Sequence, residues 1–152
     1  MNSRTSLLRI ALLASLSGAC IEIDGGAVEL SWSVRSFDGT DVEACSDARV
    51  DEIRICWQAV SEGSGSCTSS EEFPCDEENG VSGFEIAPGE TAFWVEPICV
   101  DGDPADPTTY QVPPPIVRTV EEGKIVTLNS LLIVVHPLDS SCSDIGCTCV
   151  RP

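Results

Sequence analysis

The side chains able to do chemistry in this 152-residue chain are nine cysteines, 25 acids and a single histidine. Paired with a nucleophile, the histidine would be the ordinary general base. It is His136, in Val134-Val135-His136-Pro137, and nothing in the sequence gives it a partner. No G-x-S-x-G, H-E-x-x-H or P-loop is present, and Gly123-Lys124 lacks the upstream glycine of a phosphate loop. His136 therefore reads as an edge-strand residue. Among 25 acids, close carboxylate pairs arise by chance, and the sequence singles out none for glycoside hydrolysis. No catalytic residue and no cofactor is assigned, and the chain is not expected to be an enzyme.

The acids have two readings. Asp101-Gly-Asp103-Pro-Ala-Asp106 gathers three carboxylates, and Asp38-Gly-Thr-Asp41 does so on a smaller scale. Calcium takes six to eight oxygens, often from such loops. The EF-hand spacing fails, because Ala105 stands where an acid is needed and Pro104 and Pro107 favour a turn. Asp101, Asp103 and Asp106 are weak calcium candidates beside a simpler reading, a solvated surface that keeps a small domain dispersed. The net charge of −17 excludes nucleic acid as a partner, since phosphate contact needs basic patches.

The cysteines depend on the first twenty residues, MNSRTSLLRIALLASLSGAC. Arg4 and Arg9 precede a short apolar core, Ile10–Leu16, followed by the small residues Ser17-Gly18-Ala19. This is the layout of a secretory signal, too short to span a bilayer. Leu16-Ser-Gly-Ala-Cys20 resembles the lipobox of bacterial lipoproteins, with Ser17 where leucine is commonest. The resemblance implies a diacylglyceryl group on the Cys20 thiol, cleavage before Cys20, and a membrane partner reached through lipid. Several acyl chains would anchor the chain stably without spanning. Ile21, where aspartate would mark inner-membrane retention, points to the outer membrane of a Gram-negative cell.

Cleavage would remove Arg4 and Arg9 but no acid, moving the charge from −17 to −19. With Cys20 spent on lipid, an even set of cysteines remains: Cys45, Cys56, Cys67, Cys75, Cys99, Cys142, Cys147 and Cys149. An even set in an oxidising compartment reads as a disulfide framework. The rival is a metal site at Cys142-x4-Cys147-x-Cys149 near His136. Without a C-x2-C pair the ligand spacing is poor for zinc. The missing C-x-x-C also argues against a redox-active dithiol.

These residues have to be positioned by strands. Val28, Leu30, Trp32 and Val34 alternate with polar neighbours, as do Ile53, Ile55, Trp57 and Ala59. Period two predicts half-buried strands, with Cys56 on the polar face of the second. Residues 61–80 read as a long loop pinned by Cys67 and Cys75. Val81–Ile86 reads as a short strand ending at Pro88-Gly89. Ala92–Val100 is apolar on both parities and reads as a central strand. Ile116–Val120 is a further strand. The apolar Ile125–Val135 reads as a strand bulged at Asn129-Ser130. Trp32, Trp57 and Trp94 all sit in apolar strand phase, and core packing is expected of them rather than a sugar-binding platform.

The expected fold is all-β: a single antiparallel sandwich of six to seven strands, immunoglobulin-like or transthyretin-like, stapled by disulfides and following a cleaved signal helix. The division is a signal peptide at 1–19, a lipidated tether at 20–26, the sandwich at 27–135 and a Cys-rich tail at 136–152. The order Cys45, Trp57, Cys99 is that of immunoglobulin domains, but Cys45 falls in an acidic loop and no tyrosine stands two residues before Cys99. Four other segments carry a nearer likeness: Cys45-Ser-Asp-Ala-Arg-Val-Asp-Glu-Ile-Arg-Ile, Phe73-Pro-Cys75, Pro88-Gly89-Glu-Thr-Ala-Phe93-Trp-Val, and Val120-Glu-Glu-Gly123-Lys-Ile-Val-Thr-Leu. They resemble uncharacterised lipoprotein domains related to carboxypeptidase-regulatory or transthyretin-like sandwiches. That resemblance implies a Cys45–Cys75 bridge. Cys56–Cys99 is the second expected pair, since both lie in predicted strands, and the tail cysteines are expected to pair among themselves. The function expected is that of a lipid-anchored, non-catalytic envelope module, structural or interacting with an envelope protein, with calcium or carbohydrate binding as the alternative.

Overall fold

The structure is a computed structural model, and it describes residues 23–36, 45–46, 48–63, 65–100, 102–105 and 110–135. The signal region, Cys20, His136 and the tail cysteines lie outside the described residues.

The described residues form nine strands: β1 (Ala27–Ser36), β2 (Val50–Ala59), β3 (Ser69–Pro74), β4 (Asn79–Val81), β5 (Gly89–Cys99), β6 (Tyr110–Gln111), β7 (Ile116–Val120), β8 (Ile125–Thr127) and β9 (Leu131–Val135). They form two sheets. One runs β4-β1-β9-β6, with β8 also on β1; the other runs β3-β2-β5-β7. Leu30, Trp32 and Ile133 from the first sheet meet Ile53, Ile55, Phe93 and Val95 from the second in one core. The fold is the expected all-β sandwich. The four-stranded sheet is antiparallel throughout, whereas β1 runs parallel to β8 and β9.

The apolar stretch 125–135 shows how side-chain parity sets backbone geometry. Glu29 faces Thr127 and Trp32 faces Leu131, so three steps on β1 oppose four on the partner. The extra residue is a bulge at 128–130, where the Leu128 N–H donates to the Glu29 carbonyl at 2.8 Å. In an unbroken strand Val126 and Leu128 would share a face with Leu132 and not with Leu131 or Ile133. The bulge shifts the parity, so that Leu128, Leu131 and Ile133 are all buried.

Three segments differ from expectation. The loop read at 61–80 contains the edge strand β3, whose Ser-Ser-Glu-Glu-Phe-Pro has little intrinsic strand preference and is held by pairing to Glu52–Trp57. The strand read at Val81–Ile86 is confined to β4, with Ile86 only bridged to Gly26. The short β6 pairs β9 through Tyr110 and Gln111 and was not anticipated. The chain after the leader also differs from a loose tether at its end. Gly25 and Gly26 are buried, and Gly26 exchanges backbone hydrogen bonds with Ile86 at 2.8 and 3.1 Å. A Cβ on Gly25 would lie 2.7 Å from the Phe84 carbonyl oxygen, and one on Gly26 2.4 Å from Val120 Cγ1. Only glycine allows this approach.

Candidate functional site

The richest set of functional groups among the described residues lies on the outer face of the four-stranded sheet. Along β2 the core takes Ile53 and Ile55, so Glu52, Arg54, Cys56 and Gln58 face outward. Along β5 the core takes Phe93 and Val95, so Trp94 and Glu96 face outward beside them. Cross-strand register then sets Arg54 between Glu72 of β3 and Glu96 of β5, and Cys56 opposite Trp94.

Arg54 is shared between two carboxylates. Its guanidinium reaches Glu72 Oε1 at 2.6 Å and Glu96 Oε2 at 3.6 Å. The Trp94 indole N–H donates to Glu96 Oε1 at 3.2 Å. Glu52, next to this group, has its carboxyl pushed above the ordinary range, first by desolvation and then by the neighbouring Glu72 carboxylate, with Arg54 opposing the shift. Gln58 Oε1 is buried there without a hydrogen-bond partner. The result is a surface beside the Cys56–Cys67 bridge on which the partly exposed Trp94 indole lies near carboxylates, a guanidinium and an amide.

Cys56 is on the outer face, as its strand phase requires, but it is joined to Cys67 and not to Cys99. The β2–β3 connection turns back over the sheet and brings Cys67 to a Cα–Cα distance of 5.3 Å. Opposite Cys56 on β5 stands Trp94, which leaves Cys99 several residues away along that strand. A cross-strand bridge to Cys99 is thereby excluded. Cys45 and Cys75 are joined as the resemblance implied, with Cα atoms 5.8 Å apart. Cys99 is disulfide-bonded as well, to none of these four. Cys142, Cys147 and Cys149 lie outside the described residues. The sulfurs of Cys56 and Cys67 and a carboxylate oxygen of Glu96 lie within 4.8 Å of one another. Both sulfurs are spent in one bond, which removes the thiolates that a metal would need.

The tryptophans divide. Trp32 is 2% exposed and belongs to the core, and Trp57 packs against the core's edge. Trp94 corrects the expectation of core packing. The central strand is apolar on both parities because its outer face meets the Cys56–Cys67 bridge, not because both faces are core. Of the calcium candidates, Asp103 is half-buried, and its carbonyl oxygen accepts from the Cys99 N–H at 2.9 Å. Asp101 and Asp106 lie outside the described residues, as do Asp38 and Asp41. The sequence singled out neither Arg54 nor Gln58. The alternation along β2 does place both on one face, but the pairing with β3 that supplies Glu72 could not be read.

No family model, no curated protein and no solved structure matches this chain.

Proposed function

We propose that this protein is a lipid-anchored, non-catalytic module of the bacterial cell envelope, structural or interacting with an envelope protein, held through Cys20 to the outer membrane of a Gram-negative cell. The observation that carries the reading is the oxidised state of Cys45–Cys75 and Cys56–Cys67 in a chain whose leader ends in Ser17-Gly-Ala-Cys20. Disulfides belong to exported proteins, and the leader supplies both export and an acylation site. Mass spectrometry of the protein purified from membranes tests it. A diacylglyceryl adduct on an N-terminal Cys20 is the expected result; a chain beginning elsewhere, or an unmodified Cys20, defeats the anchor.

A second reading, carbohydrate binding, is favoured by Trp94. A partly exposed indole with Arg54, Glu72, Glu96 and Gln58 around it offers a stacking surface and polar groups for hydroxyls. A glycan array probed with the wild type and Trp94→Ala decides it. Binding lost in the variant supports this reading, and an array without signal removes it.

A further inference from the structure

Accepting the lipid on Cys20, we propose that the sandwich sits on the bilayer in one fixed orientation, with Ile23, Phe84 and Ile125 seated in the headgroup region of the phospholipid surface. The inference rests on the proposed anchor and on the glycine clamp at the start of β1. Gly25 is held by the Gly123 N–H at 2.9 Å, and Gly26 by Ile86. Added Cβ atoms at either position would strike backbone or Val120. The chain is therefore fixed from Gly25 onward. From Cys20 to Gly25 an extended chain reaches at most about 18 Å, at roughly 3.3–3.6 Å per residue. That is shorter than the sandwich itself, since β5 alone runs for about 33 Å. The end carrying Gly25 cannot turn away from the membrane.

That end carries exposed apolar side chains. Ile23 is 41% exposed and lies two residues before the clamp. Phe84, 39% exposed, belongs to the residue whose carbonyl approaches Gly25. Ile125, 48% exposed, pairs with Ala27 at the first position of β1. Exposed apolar side chains gathered at an anchoring point are what an interfacial contact requires. The acids nearby are Asp24, Glu85, Glu121 and Glu122, against one base, Lys124. Attraction to anionic headgroups is thus not the cause, and the contact depends on the lipid chains and on apolar burial, which suits a zwitterionic surface. The opposite end, with Cys45–Cys75 and Val100, faces away.

The test uses the processed, lipidated protein in phosphatidylcholine vesicles with brominated or plain acyl chains. Phe84→Trp is compared with Val100→Trp, since both positions are exposed and the three native tryptophans are common to both variants. Fractional quenching of Phe84→Trp is expected to exceed that of Val100→Trp by about twofold or more. Equal quenching, or greater quenching at Val100, overturns the orientation. The mass of the same preparation separates the two ways of failing. A missing adduct on Cys20 brings down anchor and orientation together, whereas an adduct with equal quenching brings down the orientation alone.

Discussion

The indole N–H of Trp32 donates to the carbonyl oxygen of Cys75 at 2.8 Å, joining residues 43 apart in sequence. The bond ties the middle of β1 to the turn that carries the Cys45–Cys75 bridge, on the other sheet. The Trp32 ring also packs against Phe73 with centroids 6.5 Å apart. Trp32→Phe keeps an aromatic ring but removes the donor and leaves a buried carbonyl unpaired. Such a group costs about 1–3 kcal/mol, and the smaller ring adds a cavity term. Urea unfolding is expected to show a loss of about 2–4 kcal/mol at an unchanged m-value. A loss below about 0.5 kcal/mol, the level of ordinary surface substitutions, would refute the role given to this bond.

The two described bridges close loops of different length, with sequence separations of 30 and 11. The chain-entropy relation gives about 3.6 kcal/mol for the longer and about 2.8 kcal/mol for the shorter. Replacing Cys45 and Cys75 together by alanine is therefore expected to lower stability more than the same change at Cys56 and Cys67. Cys56 and Cys75 are both fully buried, so the loop lengths set the order. Chemical denaturation of the two double variants gives the order, and the reverse order would contradict it.

What the sequence disclosed and what it withheld divide along physical lines. The period-two runs of β1 and β2 bury one face each, so their apolar residues announce them. The bulge near Asn129-Ser130 was readable because two apolar phases meet there. β3 was hidden because an edge strand needs no apolar face, and its serines and glutamates read as loop. The partner of Cys56 was hidden for a different reason. Strand phase fixes the face on which a sulfur lies, but not which loop folds over that face. Trp94 was misjudged because hydropathy alone cannot separate a second core face from a surface covered by a disulfide loop.

Glu52 makes the fold depend on pH in an unusual sense for a carboxylate. Its pKa is raised in the folded chain by desolvation and by Glu72. The folded state therefore binds this proton more tightly than the unfolded one. The contribution is fully present below the unfolded value and is lost as pH rises through the folded one. At neutral pH the ionised Glu52 opposes folding. Glu52→Gln is expected to raise Tm at pH 7–8. The gain should shrink as pH falls below the ordinary carboxylate range. Scanning calorimetry of both proteins between acid and neutral pH reads it, and a gain that grows towards acid would contradict the sign.

Cys99 completes the covalent count. It is disulfide-bonded to none of Cys45, Cys56, Cys67 and Cys75, so its partner comes from Cys20, Cys142, Cys147 and Cys149. With Cys20 acylated as proposed, its sulfur is a thioether and cannot bridge. Three tail cysteines are too many to pair only among themselves, and the one left over is the partner that Cys99 requires. Cys147 and Cys149 have only Thr148 between them. An extended segment of that length holds their Cα atoms near the upper limit of about 6.8 Å for a disulfide. Cys142 is therefore expected to bond one of them and Cys99 the other. Cleavage before aspartate under non-reducing conditions isolates Cys99 in 76–100, Cys142 in 139–143, and Cys147 with Cys149 in 144–152. All three peptides are expected in one linked mass that falls apart on reduction. A 76–100 peptide linked only to 139–143 would defeat the spacing argument, and one linked to Cys20 would defeat the acylation on which the count depends.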